Sequence, residues 1–126
     1  MSNGLRNEKV IAVIDGYTLL PSSRKENTSN FAQGQRNDKI LAVVMGYSIL
    51  RGRNKGEVFL RSPIGVNFSI PITVLEKIVQ RLQTDMSFQQ KFPNGFIFLR
   101  SPQGVNFNMP IGVMLQVVQN RVQLGF

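Results

Sequence analysis

The chain repeats itself twice, and this limits its fold more than any local pattern does. Arg6 to Leu20 recurs thirty positions later as Arg36 to Leu50, with eight of fifteen positions identical. Phe59 to Phe68 recurs thirty-nine positions later as Phe98 to Phe107, with nine of ten identical. The unit order is therefore A, A′, B, B′, and homologous units are expected to fold alike. At 126 residues the chain is sized for one domain, 1–126, with a shared core.

Each A unit is a run of Val, Ile, Leu and Tyr broken by one glycine. One long strand bent or bulged at Gly16 or Gly46 is expected, so that 6–50 holds duplicated long strands joined by a polar linker at 21–35. A hairpin is disfavoured because Met45-Gly46 is a poor two-residue turn and the copies should agree. Each B unit, 57–84 and 95–123, reads as a hairpin followed by a helix. In the first, Ser62-Pro63-Ile64-Gly65 supplies a tight three-residue turn, and Pro71 opens an amphipathic helix carrying Ile72, Leu75, Ile78, Val79 and Leu82. In the second, Pro110 opens the equivalent helix, expected to run to about Gln123. The loop Arg51 to Gly56 joins A′ to B as an antiparallel pair. The expected fold is α+β, with about six mostly antiparallel strands and two helices on one face. A strand-rich half followed by a helix is similar in topology to the small single-strand-binding folds of the transcriptional coactivator and Whirly type, a likeness that by itself assigns no function.

The chain has no histidine and no cysteine, which removes thiol nucleophiles, disulfides, imidazole bases and the usual zinc and haem ligands. The seven acids, Glu8, Asp15, Glu26, Asp38, Glu57, Glu76 and Asp85, form no close pair and no calcium-loop spacing. Asp15 reads as a solvated bulge residue, and Tyr17 and Tyr47 occupy one repeat position as packing residues would. No metal, no cofactor and no enzymatic activity are expected. Gly52 to Gly56 carries neither a phosphate-loop nor a dinucleotide fingerprint. Val10 to Ile14 is too short and too poorly flanked for a signal peptide, so a cytoplasmic location is expected. The uncharged run Ser101 to Asn120 contains Pro102, Pro110, three Asn and three Gln, and no membrane insertion is expected of it. The sequons at Asn27 and Asn67 mean nothing without secretion.

Comparison of the copies separates what each kept from what it lost. Arg61 and Arg100, Asn67 and Asn106, and both Phe pairs are retained, with Asn67 expected to bond nearby backbone. The helices diverge, Glu76 corresponding to Leu115, Lys77 to Gln116 and Arg81 to Asn120. A second helix so apolar is expected to be covered, either by deeper burial within the same chain or at a homodimer seam or a groove for a partner peptide. The leading expectation is therefore a non-enzymatic protein-interaction module, an adaptor, assembly factor or chaperone, and a homodimer. Its partner-binding anchor would be Met109, Ile111, Met114, Leu115 and Val118, with Arg61 and Arg100 as a charged rim. The rival expectation starts from 15 Lys plus Arg against 7 Asp plus Glu, a net charge of +8. It is a single-stranded nucleic-acid-binding protein using Arg51, Arg53, Lys55, Arg61 and Arg100 with Phe59 and Phe98.

Overall fold

Each A unit folds as a hairpin, not as one bent strand. In a computed structural model of the chain, which describes residues 9–23 and 39–126, β1 (Ala12–Ile14) turns into β2 (Tyr17–Pro21) and β3 (Ile40–Val44) turns into β4 (Tyr47–Arg51). Asp15 and Met45 take φ of 52° and 53°, followed by Gly16 and Gly46 at 88° and 83°. Two successive left-handed residues form a primed turn, whose twist matches that of the flanking strands. A left-handed methionine costs roughly 1–2 kcal/mol, which is why local pattern argued against it; strand pairing on both sides outweighs that cost. A Cβ on Gly16 or Gly46 would stand 3.1 Å from Cγ of Pro102 or Pro63, so each turn packs on the Ser-Pro turn of its own sheet. The start of the first A unit at Arg6, residues 24–35 of the polar linker, the Asn27 sequon, Glu8, Glu26 and Asp38 lie outside the described residues.

The B units follow their punctuation. β5 (Glu57–Arg61), β6 (Asn67–Pro71) and α1 (Ile72–Thr84) form the first. After α2 (Met86–Gln89), β7 (Phe96–Arg100), β8 (Asn106–Pro110) and α3 (Ile111–Gln119) form the second, followed by α4 (Arg121–Leu124). The three-residue hairpins are closed by Ser62 and Ser101 amides on the Val66 and Val105 carbonyls, both at 2.8 Å. The expected count of six strands and two helices is thus corrected to eight and four among the described residues. The two short helices are single turns. Asp85 caps α2: hydrogen bonds from the Ser87 hydroxyl and then from the Phe88 amide hold its carboxyl below the usual range. The second long helix stops at Gln119 and not near Gln123, because Asn120 leaves helical geometry at φ −106°, ψ 17°.

The strands form two antiparallel sheets, β1-β2-β7-β8 and β3-β4-β5-β6. A therefore pairs with B′ and A′ with B, so one half is threaded inside the other as A(A′B)B′. The inner faces present Leu19, Ile97, Leu99, Phe107 and Met109 from the first sheet and Ile49, Val58, Leu60, Phe68 and Ile70 from the second, all in one core cluster with both long helices. The helices do not share one face of one sheet: each follows its own sheet, and α1 and α3 meet. Phe68 and Phe107 stack at the centre, 5.0 Å apart and 9° from parallel. Tyr17 meets Phe68 edge-on at 6.1 Å, and Tyr47 meets Phe107 likewise at 6.0 Å. The Tyr17 hydroxyl donates to the Ser69 carbonyl at 3.2 Å and the Tyr47 hydroxyl to the Asn108 carbonyl at 3.4 Å. Each half thus lends its tyrosine to the other, in a pseudo-two-fold arrangement. Among the described residues no helix is long and apolar enough to cross a membrane.

Candidate nucleic-acid interface

Of the five apolar anchor residues expected around the second helix, Met109 (on β8), Met114 and Val118 are enclosed by the chain itself. Met109, Val113, Met114 and Val117 are 0% exposed and Val118 is 8% exposed. Ile111 and Leu115 are half-buried against the same cluster. The loss of charge from α1 to α3 has an internal cause: α3 contributes Val113, Met114, Val117 and Val118 to a core it shares with α1. Where α1 has Glu76, an ion pair to Arg121 at 2.8 Å ties it to the chain after α3.

The opposite faces of the sheets carry a different constellation, and they carry it twice. Strand register places Val13, Thr18, Arg100 and Asn106 side by side across the first sheet. It places Val43, Ser48, Arg61 and Asn67 side by side across the second. Arg100 Nε donates to Asn106 Oδ1 at 2.8 Å, and Arg61 Nε donates to Asn67 Oδ1 at 2.9 Å. Asn67 thus serves Arg61 through its side chain, correcting the expectation that it bonds backbone. Two register steps along, on the next row of the same face, lie Leu20, Phe98 and Asn108 in the first sheet and Leu50, Phe59 and Ser69 in the second. Phe59 and Phe98 are half-exposed, and the Arg61 guanidinium carbon sits 5.9 Å from the Phe59 ring centroid. Val13 and Val43 are 60% and 61% exposed, identical in both copies although no core asks for them.

The two faces differ at one margin, and connectivity sets the difference. In the second sheet β4 returns at once into β5: the Gly52 amide donates to the Glu57 carbonyl at 2.8 Å. A Cβ at Gly52 would stand 2.7 Å from that carbonyl oxygen, so only glycine fits the loop. In the first sheet β2 has no such partner in sequence. Ser22 reaches over β7, its hydroxyl donating to Asn108 Oδ1 at 2.6 Å, and Asn94 Nδ2 donates to the Ser22 carbonyl at 2.9 Å. Lys9, Leu20, Pro21, Ser22, Ser23, Phe98 and Asn108 then line an open cleft of about 290 Å³.

Of the remaining basic residues named from sequence, Arg53 and Lys55 are exposed on the β4–β5 loop. Arg51 instead donates from Nη2 to the Leu124 carbonyl at 3.2 Å, closing the C-terminal turn. Asp15 pairs with Lys77 of α1 at 2.8 Å, so the one carboxylate in an apolar run joins the two halves. No group of three or more potential metal-ligating side chains occurs among the described residues. Sequence reasoning found the Phe-Arg pairs from their two-residue spacing. It missed Val13, Thr18, Val43 and Ser48, whose place beside them depends on strand register, and Ser22, Lys9 and Asn108, whose convergence depends on the nested path. Comparison with protein-family models, with curated proteins and with solved structures finds no match to this chain.

Proposed function

We propose that the protein binds single-stranded nucleic acid across the outer faces of its two sheets. The observation that carries this reading is the duplicated row of an exposed valine, a hydroxyl residue, and an Asn-braced arginine, with a half-exposed phenylalanine on the adjacent row. The phenylalanines stand beside the buried Leu20 and Leu50, but core packing asks for neither the exposed valine nor the braced arginine on this face, yet both copies keep them. An aromatic ring on a sheet face stacks a base of any sequence, and an arginine beside it meets the phosphate. Bracing by Asn67 or Asn106 fixes the plane of each guanidinium. The net charge of +8 draws an acidic polymer to the surface. A duplex is the poorer fit: α1 and α3 are spent on the core and on each other, and α2 and α4 are single turns, so no described helix stands ready for a major groove. The protein-partner reading drew on the apolar surface of α3, of which Val113, Met114, Val117 and Val118 are buried in the chain's own core.

Fluorescence anisotropy with a labelled oligonucleotide over a salt series tests the reading. Affinity is expected to fall steeply with salt, and the Arg61→Ala, Arg100→Ala pair is expected to reduce the slope by about 0.7 for each phosphate no longer neutralised. Phe59→Ala or Phe98→Ala is expected to weaken binding by about 1–3 kcal/mol with the slope unchanged. Absence of binding at low salt, or an affinity indifferent to salt, overturns it.

A further inference from the structure

The cleft on the first sheet has no equivalent pattern of residues on the second. At corresponding positions of the second sheet Ser69 replaces Asn108, Arg51 replaces Pro21 and Gly52 replaces Ser22. We infer that this cleft is the base-reading site of the surface: it takes one nucleobase on the Phe98 ring and selects a keto-bearing base through the Asn108 amide. The inference rests on the single-strand reading given above.

Three observations carry it. The first is size. A cleft of about 290 Å³ lies at the lower limit of small-molecule sites; it suits one planar base and not a folded peptide. The second is lining. Leu20, Pro21 and Phe98 provide apolar walls, while Lys9, Ser22, Ser23 and Asn108 provide polar groups on the rim, the usual division between stacking surface and orienting contacts. The third is donor polarity. The Ser22 hydroxyl donates to Asn108 Oδ1 at 2.6 Å, which leaves Nδ2 turned to the other side. Among the described residues Nδ2 has no protein partner, so it offers N–H to a ligand. The backbone beneath is also held, because the Tyr47 hydroxyl donates to the Asn108 carbonyl at 3.4 Å. Lys9 adds a further donor and no acceptor. A site that presents donors matches a base carbonyl oxygen, the O2 or O4 of a pyrimidine or the O6 of guanine. Adenine has no carbonyl and sets an amino group beside its ring acceptors. Ser69 in the second sheet has too short a side chain for this role, so the first sheet reads and the second holds.

The test compares homothymidine and homoadenosine oligonucleotides of about ten nucleotides, within the footprint of such platforms. Anisotropy is measured for the wild type, for Asn108→Ser, which installs the residue of the other copy, and for the isosteric Asn108→Asp. Asn108 is half-exposed, and circular dichroism checks that both variants stay folded. The wild type is expected to favour homothymidine. Asn108→Ser is expected to reduce the preference by about threefold to tenfold, the worth of one hydrogen bond, with the salt slope unchanged. Asn108→Asp replaces the donor with an acceptor and is expected to move the preference toward homoadenosine. Salt-dependent binding with the same preference in all three proteins overturns the cleft assignment and leaves the single-strand reading standing. No binding of either oligonucleotide at low salt overturns both.

Discussion

Tyr17 shows how one side chain can serve two halves of a molecule. Its ring closes on Phe68 of the other sheet, and its hydroxyl ends on the Ser69 carbonyl. Burial, and after it the negative charge of Glu57, raises the phenol above its ordinary value of 10.0. The fold therefore keeps the neutral form, while the unfolded chain ionises first. The stabilisation held in that neutral phenol is complete below about pH 10 and is lost as pH rises through the folded value. Thermal melts from about pH 8 to pH 11 are expected to show melting temperature falling at the alkaline end. Tyr17→Phe is expected to flatten that fall, at a cost of about 0.5–1.5 kcal/mol near neutrality for the missing hydrogen bond. An equally steep alkaline fall in Tyr17→Phe would assign the effect to another group.

At the scale of elements, the division between what was legible and what was not follows the range of the interactions. The B hairpins and the helix starts were readable because Pro63, Gly65, Pro71 and their counterparts fix local dihedrals. The A hairpins were not, because Met45 is a poor turn residue and takes a left-handed conformation only under pairing forces that no window of sequence contains. For the same reason sequence left the covering of α3 open between the chain's own core and a second surface. Its greasy surface invited a partner, and the partner is α1 together with the two inner sheet faces. Met114 is fully buried in that core. Met114→Ala is expected to cost about 2–5 kcal/mol, through forfeited transfer energy and the cavity left behind, read as a shift in urea midpoint. The self-association of the folded protein should not change. A variant of near-native stability would return α3 to the surface and reopen the protein-partner reading.

The whole molecule raises the question of why A pairs with B′ when A′ is its near copy. Loop closure supplies the answer. The loop from Gly52 to Gly56 holds β4 against β5, and a short closure costs less entropy than any pairing across the chain. With A′ committed to B, the first hairpin is left for B′, and Ser22, just after β2, reaches across β7 to Asn108 on β8. The asymmetric cleft is thus a product of the threading, while the symmetric core is a product of the duplication. The first hairpin is then indispensable, since β2 covers one edge of β7, Leu19 fills the core beside Leu99, and the β1–β2 turn reaches α1 through Asp15 and Lys77. Removing residues 1–34 would leave β7 as a bare edge and Phe68 without its edge-on ring, although A′B retains every strand of the second sheet. The shortened chain is expected to lose the cooperative unfolding transition of the full chain in calorimetry, and to self-associate further in sedimentation through the uncovered edge. A cooperative melt from a monomer would show that A′, B and B′ form a core by themselves, and that the first hairpin is an attachment to it.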